Sequence, residues 1–148
     1  MGREDVGRRV PPQPGKPVLT IDGAQFSDLD GFYDEVSRNL IPGASWGRNL
    51  NAFNDILRGG FGTPEGGFQL RWKNSDQSRE RLGWEETIRF VEKKLTTCHP
   101  TNRPSVQANL ESARRHEGET LFDLIVEIIH DHGPGGPESE DGILLTLE

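Results

Sequence analysis

The sequence predicts an α/β fold in which helices pack a three-stranded parallel sheet. Three observations carry the prediction. Short apolar runs suited to strands stand at 18–21, 68–72 and 143–147, and segments of helical periodicity separate them. Helical connections of that length join parallel neighbours by right-handed crossovers. The chain has 148 residues, enough to bury a core without a disulfide or a metal.

Residues 1–17 are rich in Pro, Gly and Arg and poor in apolar side chains, which predicts a disordered lead-in. The run Val18-Leu19-Thr20-Ile21, stopped by Asp22-Gly23, reads as a strand and turn. Ser27 is expected to cap a helix over 27–40, with Asp30 as its capping-box partner. Its stripe is Leu29, Phe32, Tyr33, Val36 and Leu40, and Pro42-Gly43 ends it.

A shorter helix is expected over 49–57. Leu50, Phe53, Ile56 and Leu57 gather on one side, with Asn51, Asn54 and Asp55 on the other. The glycine-rich stretch 59–67 reads as a mobile connector. It follows a helix, precedes a strand and lacks Gly-Lys-Ser/Thr, so it is no phosphate loop. Phe61 within it must either tuck inward or serve a partner. In 68–72 apolar and polar residues alternate, as in a strand with one covered face.

Residues 73–119 read as helical elaboration. Trp84, Ile88, Val91 and Leu95 form a stripe expected to be largely buried. Asn102 and Pro104 are placed to start a further helix carrying Val106, Leu110 and Ala113. Thr120 and Asp123 form a capping signature for a helix over 122–132 with Gly133 as its C′ residue. An acidic loop follows, and then Ile143-Leu144-Leu145-Thr146-Leu147, a run typical of a strand buried on both faces.

The net charge is −7, which argues against direct binding to nucleic acid or an anionic membrane and favours a basic partner. The charge is segregated. Residues 121–148 hold seven acids and no Lys or Arg. No apolar stretch is long enough for a transmembrane helix. The opening residues lack the apolar core of a secretory signal, and Val6 stands where a myristoylation signal wants Ser or Thr. The single cysteine, Cys98, excludes an internal disulfide and suits a reducing compartment.

Two His-containing clusters, His130-Asp131-His132 and Cys98-His99, lack a second ligand group at a recognised spacing. Histidines near a helix C-terminus are favoured by its dipole, so no metal is expected. Ser45, Asp55, Cys98 and the four histidines supply polar groups without a nucleophile elbow or another catalytic signature. The short helix remains the most informative segment. Asn51 and Asp55 lie four residues apart on its outer face, beside an aromatic loop.

The run Ser45-Trp46-Gly47-Arg48-Asn49-Leu50-Asn51-Ala52-Phe53-Asn54-Asp55-Ile56-Leu57 resembles the signature of the barstar family, intracellular inhibitors of barnase-type ribonucleases. The similarity spans 18–82 and 120–148, with a helical insertion at about 83–119. The resemblance implies that the second helix and the loop before it plug the active site of a ribonuclease, with Asp55 filling its phosphate pocket. It places Asn51 where the family carries a second aspartate and Ser45 where it carries an aromatic. Trp46 keeps the other motif aromatic, Phe61 takes the loop aromatic, and Ile128 stands where an interface glutamate is expected, with Glu127 or Asp131 beside it.

These observations together predict a barstar-like domain over 18–148. Its expected contact residues are Ser45, Trp46, Asn51, Asn54, Asp55 and Phe61, and its expected partner is a basic ribonuclease of extracellular type. No catalytic residue, cofactor, metal, nucleic acid or membrane is expected, and the expected location is the cytoplasm, as for an immunity protein. Two alternatives stay open: a non-inhibitory interaction module for another basic partner, and an enzyme using Asp55 as acid or base.

Overall fold

The computed structural model describes residues 16–148. The order of elements is β1 (Val18–Asp22), α1 (Leu29–Asn39), α2 (Leu50–Arg58), β2 (Gln69–Lys73), α3 (Ser75–Arg81), α4 (Trp84–Thr97), α5 (Arg103–Arg114), α6 (Leu121–Asp131) and β3 (Leu144–Leu147). Short 3-10 turns precede α1, α5 and β3. The fold is α/β with a three-stranded parallel sheet, as expected. The strand order is β1-β2-β3, and both pairings are parallel.

Register aligns Leu19 with Leu70 and Leu70 with Leu145, and likewise Ile21 with Trp72 and Trp72 with Leu147. These residues share one face of the sheet, because side chains alternate along a strand. Onto this layer pack Phe32 and Val36 of α1, Phe53, Ile56 and Leu57 of α2, and Phe122, Ile125 and Ile129 of α6. Phe32 stacks on Trp72 at 5.7 Å and meets Phe53 edge-on at 5.3 Å, while Phe122 lies 5.1 Å from Trp72. Each such pair adds about 0.5–1.5 kcal/mol to the area it buries. The buried indole N–H of Trp72 donates to Ser78 Oγ of α3.

Several elements differ from the sequence expectation. The α1 cap is Asp28, whose carboxylate accepts the N–H of Gly31, and not Ser27. Asp30 therefore sits in the first turn as an acid favoured by the dipole. The 68–72 strand is covered on more than one face. Gln69 is buried on the side opposite Leu70 and Trp72, and its Nε2 donates to Thr146 Oγ1. β3, an edge strand among the described residues, is buried at Leu144 and Thr146, as is Ile143 just before it, while on the face opposite Leu144 and Thr146 Leu145 is half-buried and Leu147 is 39 % exposed, so burial on both faces holds only in part. Gly133 follows α6 but does not take the left-handed conformation of a C′ glycine. It is small for another reason: a Cβ there would run into the carbonyl of Ile143. The capping box of Thr120 and Asp123 forms as predicted.

The segment 83–119 builds α4 and α5. Their apolar stripes form a second, small core of Val91, Val106 and Leu110, with Ile88, Phe90, Leu95 and Cys98 against it. Only Val91 of the predicted stripe is buried. Ile88 and Leu95 are half-buried, and Trp84 is half-buried with its ring stacked flat on His116 at 5.3 Å. Two antiparallel helices offer each other one narrow seam, too little to enclose every member of the stripe. Thr87 of α4 joins this unit to the rest by accepting the N–H of Leu121 at the start of α6.

The predicted lead-in lies, over 1–15, outside the described residues. Pro17 accepts the N–H of Gln69, and the Lys16 ammonium donates to the carbonyls of Gly66 and Gly142.

Candidate functional site

α2 is short but well specified. Asn49 caps it by accepting the N–H of Ala52 at 2.7 Å. Phe53, Ile56 and Leu57 are buried, and that apolar face fixes which side chains must point outward. Arg48 precedes the cap with φ 53°, a left-handed conformation that costs a non-glycine residue of order 1 kcal/mol. Its guanidinium meets Asp34 at 2.9 Å and lies over the Tyr33 ring, tying the strained turn to α1.

Asn51 and Asp55 are both exposed on α2, as the helical spacing predicts. Ser45 is exposed in the loop before it. Trp46 is half-buried, its edge on Tyr33 at 5.5 Å and its indole N–H donating to Ser37 Oγ at 2.8 Å. Phe61 is half-buried in the glycine loop and packs on the main core, so much of the ring tucks inward. Asn54 shares the helix but not the outward aspect of its neighbours: it is half-buried, with Oδ1 2.6 Å from His132 Nε2. Ile128 of α6 is half-buried against the main core. Glu127 is exposed beside Glu119, whose carboxyl is raised by burial and then by Glu127.

The charge around Asp55 was not legible in the sequence. Arg58, one turn on, pairs with Asp55 at 3.1 Å and grips Glu138 of the acidic loop through two bonds of 2.7 and 3.1 Å. The Arg58 hydrogen bond holds the Glu138 carboxyl below the usual range. A helix signal cannot reveal a partner eighty residues away. A cleft of about 290 Å³ beyond the end of α2 is lined by Arg58, the glycine loop, Glu140 and Asp141, and not by Asp55. Gly67 closes one side of it at φ 95°, where a Cβ would meet the Gly142 carbonyl.

Among the described residues, His132 forms a close group with two acids. His132, Glu138 and Asp141 each place a ligand-type atom within 4.8 Å of the others. Those atoms already bond to one another, to Asn54 and to Arg58. The other metal candidates, Cys98 and His99, stand at the end of α4. His99 Nδ1 faces Thr101 Oγ1 at 2.8 Å. No helix among the described residues is long and apolar enough to cross a membrane.

The site as built is an open helix face with a carboxylate at its centre, flanked by aromatic side chains anchored in the core. It can present charge and hydrogen bonds to another molecule. A family model described as Barstar (barnase inhibitor) matches residues 16–103, which takes in β1, α1, α2, β2, α3 and α4. The match thus includes the first half of the segment expected as an insertion, while α6 and β3 lie beyond it. No curated protein matches the chain. The model spans more than half of the sequence, including the whole of α2 and the loops on both sides of it, and on that basis the chain belongs to the barstar family of barnase inhibitors.

Proposed function

We propose that this chain is a cytoplasmic inhibitor of a basic, barnase-type ribonuclease, and that it works by covering the enzyme's active site with α2 and the loops beside it. Membership of an inhibitor family supports the reading, and so does the exposed Asp55 carboxylate on the outward face of α2. A ribonuclease active site is built of cations that bind phosphate, and a carboxylate imitates that anion. Ser45, Trp46, Asn51 and Phe61 supply the surrounding contact, and Asn54 supports it from beneath. The acidic charge of the C-terminal region steers a basic enzyme toward this face.

Asp55 acts as a carboxylate that exchanges Arg58 for the partner's cations. Its pairing with Arg58 orients it in the free chain, while surface pairs of this kind contribute only ~0–1 kcal/mol and are readily given up. The domain, in this reading, runs over 18–148, with α4 and α5 as a built-in layer.

The test is inhibition of barnase, together with a panel of basic microbial ribonucleases, by the wild-type chain and by Asp55→Ala. The expected loss is about 2 kcal/mol or more, as for a desolvated hot spot, and it falls mainly on dissociation. Absence of binding to every member of the panel would transfer the assignment to an interaction module for another partner. Turnover of a substrate that disappeared in Asp55→Ala would make the chain an enzyme.

A further inference from the structure

His132, at the end of α6, is fully buried, yet both ring nitrogens are engaged. Nδ1 lies 2.7 Å from Asp141 Oδ2, and Nε2 lies 2.6 Å from Asn54 Oδ1. Glu138 Oε1 stands 4.0 Å from Nδ1. The backbone carbonyl of His132 accepts the N–H of Ile143 at 2.9 Å, at the entry to β3. One side chain and its peptide therefore join α6, the acidic loop, β3 and the outward-facing helix α2.

The ring also relates two arrangements of Asn54. A carboxylate at Nδ1 requires a proton there. With the ring neutral, Nε2 is an acceptor and needs an amide N–H; with the ring charged, Nε2 donates and needs the amide oxygen. The two cases differ by a half-turn of the Asn54 amide, which exchanges its oxygen and its NH₂. Asn54 lies between Asn51 and Asp55 on α2, so the end turned away from the ring is an NH₂ in one case and a carbonyl oxygen in the other.

We propose that His132 is the positioning residue of the α2 contact face: it fixes α2 against the acidic loop, and its proton decides whether Asn54 offers a donor or an acceptor next to Asp55. This rests on the inhibitor reading only for its effect on binding; the link between His132 and Asn54 is a property of the free chain. The charged groups that face the ring are Asp141 and Glu138 from the loop. Arg58 and Asp55 of α2 are connected through Glu138, and His130 and Asp131 are its neighbours on α6. In the charged state the ring completes a chain of alternating sign from Asp141 through His132 and Glu138 to Arg58 and Asp55. In the neutral state that chain is broken at its buried end.

The experiment has two arms. In the first, the free chain labelled with ¹⁵N is titrated from about pH 5 to 8, the range in which histidine side chains change charge. The imidazole nitrogens of His132 and the side-chain NH₂ of Asn54 are followed together. The expected result is a common midpoint, and in His132→Gln the Asn54 response vanishes while β2 amides keep their exchange protection. A ring that holds one charge state across the range, or an Asn54 amide that ignores it, overturns the proposal. Asn54→Ala supplies the same comparison from the other partner should His132→Gln not fold, with the His132 midpoint expected to move.

In the second arm, dissociation from barnase is measured over the same range for wild type and His132→Gln. Barnase contributes equally to both profiles, so their difference belongs to His132. A several-fold change of rate with pH that is present in wild type and absent in the variant supports the proposal, and superimposable profiles overturn it. If the wild type binds no barnase, the inhibitor reading fails for that enzyme and the first arm alone decides the role of His132.

Discussion

Glu86 Oε2 accepts the backbone N–H of Leu29 at 2.9 Å, so a buried carboxylate of α4 caps the start of α1 from the far side of the sequence. The next residue, Thr87, does the same for α6 at Leu121. The first turn of α4 therefore satisfies orphan amides at the N-termini of two other helices, which would otherwise be buried without partners.

Glu86→Ala removes a charge-assisted bond and leaves the Leu29 amide unsatisfied. The expected loss is about 1–3 kcal/mol in urea unfolding, and Thr87→Val is expected to lose about 1 kcal/mol for the same reason. A single cooperative transition in both variants would show that α4 unfolds together with the sheet. Unchanged midpoints would make α4 a loosely attached addition.

Gly133→Ala is expected to destabilise by roughly 1–3 kcal/mol, because the added methyl collides with the Ile143 backbone, which cannot swing aside as a side chain would. The measurement is the same urea midpoint, with hydrogen exchange at Ile143 as a local reporter. An unperturbed midpoint would show that the β3 entry can shift.

Acid should weaken the fold. The Asp22 carboxyl is lowered by the Asn74 side-chain bond and then by the Ala24 amide, and Glu138 is lowered by Arg58. A depressed carboxyl contributes stability above its unfolded value, about pH 4, and loses it as the pH falls through the folded value. Glu119 runs the other way: raised by burial, it contributes below the unfolded value and loses that as the pH rises through the folded one. The Glu119 change falls above about pH 4, so below it Asp22 and Glu138 predict a falling urea midpoint. Asn74→Ala is expected to flatten this fall, and an unchanged slope would remove Asp22 from the account.

Asn51→Asp restores a second carboxylate on α2, four residues from Asp55. In the free chain the like-charge pair is expected to cost ~0.2–0.5 kcal/mol. Against a ribonuclease with a strongly basic pocket, binding should tighten by about 1 kcal/mol or more, with faster association at low salt. Weaker binding would show a partner whose pocket favours the neutral amide.

The strands, their parallel sense and the main helices were legible because each rests on a local period or a local stop. α2 was legible down to its outward pair, Asn51 and Asp55, because burial of Phe53, Ile56 and Leu57 dictates the rest of the helix. The setting of that pair was not. Arg58 with Glu138, Asn54 with His132 and Leu29 with Glu86 are contacts between distant segments, and none leaves a periodic trace. Ser27 and Asp28 are adjacent good caps, and only the Gly31 bond distinguishes them. Trp84 looked like core because it is large and in phase, whereas stacking on His116 satisfies it at the margin of a two-helix seam.

The parallel sheet has a kinetic consequence. Val18 bonds alongside Gln69 and Gln69 alongside Leu144, so each strand pairing closes a long stretch of chain. Closure entropy must be met before those bonds form, which slows folds rich in distant contacts. The packing of α4 on α5 is local by comparison and closes early. Because α4 and α5 lie between β2 and β3 in the chain, their early packing shortens the stretch that the β2–β3 pairing must close; Leu110→Ala is then expected to slow refolding, while closure of the sheet, and with it of the scaffold beneath α2, stays the slow event.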